Sequence, residues 1–102
     1  MTLSIKDINN IETEAEVDEH EYYASIQRAI NGGVWSMQGS YGRTMMQAIS
    51  DGWCLLGTQS FNDYYGNRIP SRTEVKAGTK GSPEFVLEHR GQEWLEFLEG
   101  LQ

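Results

Sequence analysis

The sequence holds one cysteine, two prolines and two histidines in 102 residues. A single thiol closes no internal disulfide and builds no multi-thiolate zinc site, so the fold is expected to stand without either, in a reducing compartment, the cytoplasm. Long apolar runs are missing as well. The longest, Trp53-Cys54-Leu55-Leu56, has four residues, against the ~20 that cross a bilayer, so no membrane span is expected. The first residues, with Lys6, Asp7 and Asn9-Asn10, lack the apolar core of a secretion signal. Basic side chains are scarce too: eight against fifteen acids, for a net charge of −7. That balance disfavours general affinity for nucleic-acid phosphate, which rests on Lys and Arg.

Chemistry-bearing patterns are equally few. Cys54 with His20 or His89 is the one thiol–imidazole combination available, and its apolar surroundings predict an inert, buried thiol. Glu16 and His20 stand at i, i+4, but a metal site needs further ligands that the sequence does not identify. The segments 39–43 and 78–82 have the composition of phosphate cradles without the spacing. No enzyme, metal or cofactor is expected.

Leu, Ile, Val and Phe number 21, close to the level at which a highly charged chain stays unfolded. Eleven aromatic rings (three Trp, five Tyr, three Phe) offset the shortage, since each buries a large apolar area. One domain over 1–102 follows, with 1–12 as a loosely ordered arm or, on the rhythm of Ile5, Ile8 and Ile11, a short helical turn.

Three main helices are predicted, near 13–31, 40–51 and 83–100. The first starts from the capping-box pair Thr13 and Glu16, buries Tyr22, Ile26, Ala29 and Ile30, and stops at Asn31-Gly32-Gly33. The second turns Tyr41, Met45, Ala48 and Ile49 inward and closes at Gly52. The two ends resemble each other at an offset of nineteen residues, which shared C-cap chemistry explains without a duplication. The third begins at Ser82-Pro83 and carries Leu87, Gly91, Trp94, Leu98 and Leu101 along one face, unless Gly91 divides it into two helices. Residues 34–37 and 53–57 read as strands, and Tyr64-Tyr65 pairs with Arg68-Ile69 across Gly66-Asn67. Ser71 and Glu74 repeat the capping-box spacing and announce one or two helical turns over 72–77. The fold class is α+β, three helices on a short antiparallel sheet or hairpin, with a mostly α fold as the alternative. Trp35, Trp53 and Trp94 are assigned to the core.

Charge is the least random feature. Six acids lie within 12–21, whereas Arg68, Arg72, Lys76 and Lys80 face a single acid, Glu74, over 68–80. Glu14, Glu16, Asp18, Glu19 and Glu21, with Tyr23 at their border, are the candidate surface for docking a positively charged protein, because complementary fields speed association and exclude wrong partners. The bland reading is a solvated helix face that pairs with the basic stretch. The alternative site joins Arg68, Arg72, Lys76 and Lys80 to Tyr64 and Tyr65 as stacking partners for an anion or a nucleic acid; Pro70 and Gly78 oppose the continuous helix that would align its cations.

In overall character the chain resembles the small acidic accessory proteins that phages encode against host defences, such as anti-CRISPR proteins. The likeness rests on length, acidic balance, one cysteine and the missing catalytic signature, so it transfers no site residue. It implies a non-catalytic inhibitor whose partner belongs to a nucleic-acid-handling complex. An antitoxin or immunity protein, and a small nucleic-acid-binding protein acting through 68–80, are the other classes that fit.

Overall fold

A computed structural model describes residues 5–12, 18–36 and 39–101. In chain order the elements are α1 (Ile5–Glu12), α2 (Glu19–Asn31), a 3-10 turn (Val34–Ser36), α3 (Gly39–Ser50), β1 (Phe61–Asn62), β2 (Arg68–Ile69), α4 (Pro83–Arg90) and α5 (Gln92–Glu99). Helices thus dominate, with one two-stranded antiparallel hairpin, an arrangement that both the α+β and the mostly α expectation accommodate. No described helix is long and apolar enough to cross a membrane.

The main core is built where the periodicity of α2 and α3 put it. Ile26, Ala29 and Ile30 of α2 meet Tyr41, Met45, Ala48 and Ile49 of α3, with Val34 and Trp35 of the 3-10 turn between them. Both helices stop as expected, and Gly52, at φ +80°, passes so close to His89 that a Cβ there would meet it at 2.6 Å. A second, smaller core joins Leu55 to Val86, Leu95 and Leu98 of the last two helices.

Several boundaries differ from expectation. The first long helix begins at Glu19, because Asp18 takes a non-helical ψ of 140° and its carboxylate accepts from the amides of His20 and Glu21. Thr13 and Glu16, the expected capping box, lie outside the described residues, as do Glu14 and Met37. Residues 5–12 form a helix whose isoleucines seat it only in part: Ile11 packs against the main core, but Ile5 is 79% exposed while Asp7 and Asn10 are buried. Asp7 accepts from Ser25 Oγ at 2.8 Å and from Arg28 Nη1 at 2.9 Å, and Asn10 donates to Ser25 Oγ. Gly91 ends α4 at φ 92°, ψ 170°, a backbone that breaks the helix into two. The break re-aims the faces, so Val86 and Leu95 are buried and Leu87 is 41% exposed.

Neither 34–36, the described part of the first expected strand, nor 53–57 is a strand. Val34–Ser36 is a single 3-10 turn. Residues 53–57 are mostly buried without a neighbouring strand, and other groups satisfy their backbone. The side-chain amide of Gln27 both donates to Leu55 O (3.0 Å) and receives Leu55 N–H (2.7 Å), as a strand neighbour would. Leu56 N–H reaches Gly81 O, and Arg72 Nε reaches Leu56 O. The hairpin pairs Phe61 with Ile69 and Asn62 with Arg68, which puts Tyr64 and Tyr65 on its turn rather than in a strand. Asp63 sets this register by accepting from the amides of Tyr65 and Asn67. Over 72–77 there are turns and no helix, although Glu74 does accept Ser71 N–H at 2.9 Å.

Candidate functional site: an acidic and aromatic face

Where α2 begins, its first turn meets α5 across an aromatic corner. His20 lies 5.1 Å from the ring of Trp94 and 6.0 Å from that of Trp53. Tyr23 stacks flat on Trp53 at 4.3 Å, Trp53 meets Trp94 edge to face, and Trp94 stacks on Phe97 at 5.2 Å. Residues i and i+3 share a face of α5, which is why Trp94 and Phe97 line up. Trp94 Nε1 donates to Trp53 O at 2.8 Å, and the Arg90 guanidinium sits 3.8 Å above the Trp53 ring while donating to Asp51 O. These hydrogen bonds and stacks hold the corner rigid. Trp53 and Trp94, expected in the core, are half-buried, and only Trp35 is fully enclosed.

Carboxylates surround the corner. Asp18 caps α2, Glu19 is exposed, and Glu21 accepts from Lys6 at 3.5 Å and from Asn10 at 3.3 Å. On α5, Leu95 and Leu98 point into the small core, which leaves Glu93 and Glu96 to solvent. The His20–Trp94 contact thereby joins the acid-bearing start of α2 to acid-bearing α5, although the two segments are more than seventy residues apart. Phe97, 46% exposed, supplies an apolar centre. Of the predicted docking residues, Asp18, Glu19, Glu21 and Tyr23 belong to this region, with Tyr23 turned onto Trp53; Glu14 and Glu16 lie outside the described residues. Sequence reasoning missed His20, Trp94 and Phe97 as members, since only the folding of α5 back onto α2 joins them.

The basic stretch is not gathered into a ridge. Arg68 pairs with Glu74, and its guanidinium together with Ser71 N–H holds that carboxyl down at about 2. Arg72 is half-buried, with Nε on Leu56 O at 2.8 Å and Nη2 near Asn31 Oδ1 at 3.4 Å. Burial lowers its pKa, and Glu99 partly counters that. Lys76 and Lys80 stay exposed, as do Tyr64 and Tyr65. The segment 78–82 is a capped loop: Ser82 Oγ accepts from the amides of Gly78 and Phe85 and donates to Thr79 O, so the donors a phosphate would use are engaged.

Cys54 is fully buried, donates weakly to Tyr23 O, and is pushed by burial far above the ordinary thiol range, where no thiolate forms. Among the described residues no group of three His, Cys, Asp or Glu side chains is placed to hold a metal ion. No protein-family model, no curated protein and no solved structure matches this chain.

Proposed function

We propose that this protein is a non-catalytic binding protein that docks a positively charged partner on the face formed by the start of α2, Trp53 and α5, and so inhibits or regulates a nucleic-acid-handling complex. The observation that carries the reading is the pairing of an exposed, pre-stacked aromatic edge, Trp94 and Phe97 with His20, with carboxylates from two distant segments. Rigid aromatics give contact area at small entropy cost, and surrounding charge steers a partner of opposite sign. The overall charge of −7 extends the same field beyond contact range. An anti-defence protein of a phage and an antitoxin or immunity protein use such a face alike, and the captured partner separates them. The nucleic-acid reading through 68–80 is the weaker one, since Arg68 is paired with Glu74 at the surface and Arg72 is committed to Leu56 O inside the fold.

The test is capture from host lysate on the immobilised protein, beside two variants: Phe97→Ala, and the combination Asp18→Asn, Glu19→Gln, Glu93→Gln and Glu96→Gln. Asn keeps the helix cap that Asp18 supplies. A basic protein retained by the wild type at low salt, lost at high salt and lost from both variants is the expected result. Equal retention by all three forms overturns the reading.

A further inference from the structure

A second apolar feature lies apart from the acidic face. Between α3 and the β1–β2 turn runs a groove of about 190 Å³. Trp35 and Ile69, both buried, give it an apolar floor, and Met46, Tyr64 and Tyr65 form its walls. These three wall residues are half of the six large hydrophobic side chains exposed among the described residues. Gly42 keeps the α3 side open, since a Cβ there would have nothing within 4 Å. Tyrosine, methionine and arginine around a small pocket is the composition that protein interfaces concentrate at their centres.

The charges at the groove say what enters it. Arg43 is exposed on the rim and makes no ion pair or hydrogen bond among the described residues. Asp63, the other charge, is turned to the hairpin: Oδ1 accepts from the amides of Tyr65 and Asn67, and Oδ2 from Asn67 Nδ2. Among the described residues, Arg43 is therefore the one charged side chain lining the groove that has no partner, while the Asp63 carboxylate is held by the hairpin amides. A single-stranded nucleic acid would stack on the two tyrosines but needs a track of cations for its phosphates, and Arg68, next to Ile69 on β2, is paired with Glu74. One cation beside a cavity of side-chain size matches one carboxylate next to one apolar side chain.

We propose that this groove is a second docking site, taking a peptide segment that presents an aromatic or branched aliphatic side chain beside an acidic residue. The apolar side chain lies on Trp35 and Ile69 between Met46 and the tyrosines, and the carboxylate meets Arg43. This site is independent of the acidic face, which selects the opposite charge.

The test is a titration of the isotope-labelled full chain, followed by amide NMR, with capped hexapeptides centred on Glu-Phe, Lys-Phe or Glu-Gly, and with an oligothymidylate. The Glu-Phe peptide is expected to shift amides of 42–46 and 63–66 saturably, with the other three probes leaving them in place. Arg43→Ala is expected to weaken binding about twofold to fivefold, as for one exposed ion pair, and Tyr65→Ala about fivefold or more, as for a contact at an interface centre. Arg43→Glu should transfer the preference to the Lys-Phe peptide. Both residues are exposed, so the three variants fold, and their unshifted amides elsewhere verify it. Groove amides that ignore the Glu-Phe peptide, that respond equally to Lys-Phe, or that respond best to the oligonucleotide overturn the proposal.

Discussion

Around Arg72 the protein engages its cations with its own acceptors, and around Trp94 it leaves its carboxylates to solvent. Arg68 and Arg72 bind Glu74, Leu56 O and Asn31, so half of the basic stretch serves as mortar for the buried 53–57 segment and the hairpin. Asp18, Glu19, Glu93 and Glu96 stand exposed beside an aromatic corner already held together by stacking and by Trp94 Nε1. The basic stretch and these acids thus have different employment. Charge used internally shows up as stability, and charge left outside shows up as association rate.

That distinction breaks most visibly at the aromatic corner, which belongs to both classes. Trp94→Ala removes ring contacts with His20, Trp53 and Phe97 together with one hydrogen bond, and should cost about 3 kcal/mol in urea unfolding, the low end for tryptophan because the ring is half-exposed. A loss below about 1 kcal/mol would make the corner a surface decoration. Next in size is Arg72→Met, which keeps the apolar stem and leaves Leu56 O without its donor: about 1–2 kcal/mol by the same measurement. If Arg72→Met is silent, the basic stretch is free and regains its claim to a ligand. Neutralising Asp18, Glu19, Glu93 and Glu96 together should move stability by less than about 1 kcal/mol, because these groups are solvated. Smallest is the titration of Glu74. Its folded pKa, about 2, lies below the ordinary carboxylate value of 4.5, so its contribution is complete above about 4.5 and fades as pH falls toward 2. Carbon-detected NMR should give a midpoint near 2 in the wild type, rising toward the ordinary value in Arg68→Ala.

Local signals in the sequence were reliable where one residue acts alone on the backbone. Ser82 caps α4, glycine stops α2 and α3, Gly91 divides the C-terminal helix as one of its two readings had it, and the Tyr41–Ile49 stripe faces the core. What stayed illegible depends on partners distant in the chain. Gln27 reads as a surface residue of a helix, and its role as a substitute strand edge exists only once 53–57 lies beside it. Asp7 and Asn10 read as solvent-facing beside three isoleucines, and their burial follows from Ser25 and Arg28 waiting on α2. Arg68-Ile69 reads correctly as the second strand, whereas the first reads three residues late, at Tyr64-Tyr65 in place of Phe61-Asn62, because Asp63, not Gly66-Asn67 alone, sets the turn. For the docking face, the acids of α2 were legible by count, whereas the aromatic half required α5 to fold back on α2.

The central claim concerns rate, so the most direct measurement is the association rate constant with the captured basic partner as a function of ionic strength. The wild type should associate fast at low salt and slow steeply as salt rises, since exposed charges act through a field that salt screens over about 10 Å at 0.1 M. The variant neutralised at Asp18, Glu19, Glu93 and Glu96 should associate slowly at low salt, with a much flatter dependence and an unchanged fold. Superimposable salt profiles for the two proteins would contradict the account and remove this face from the encounter.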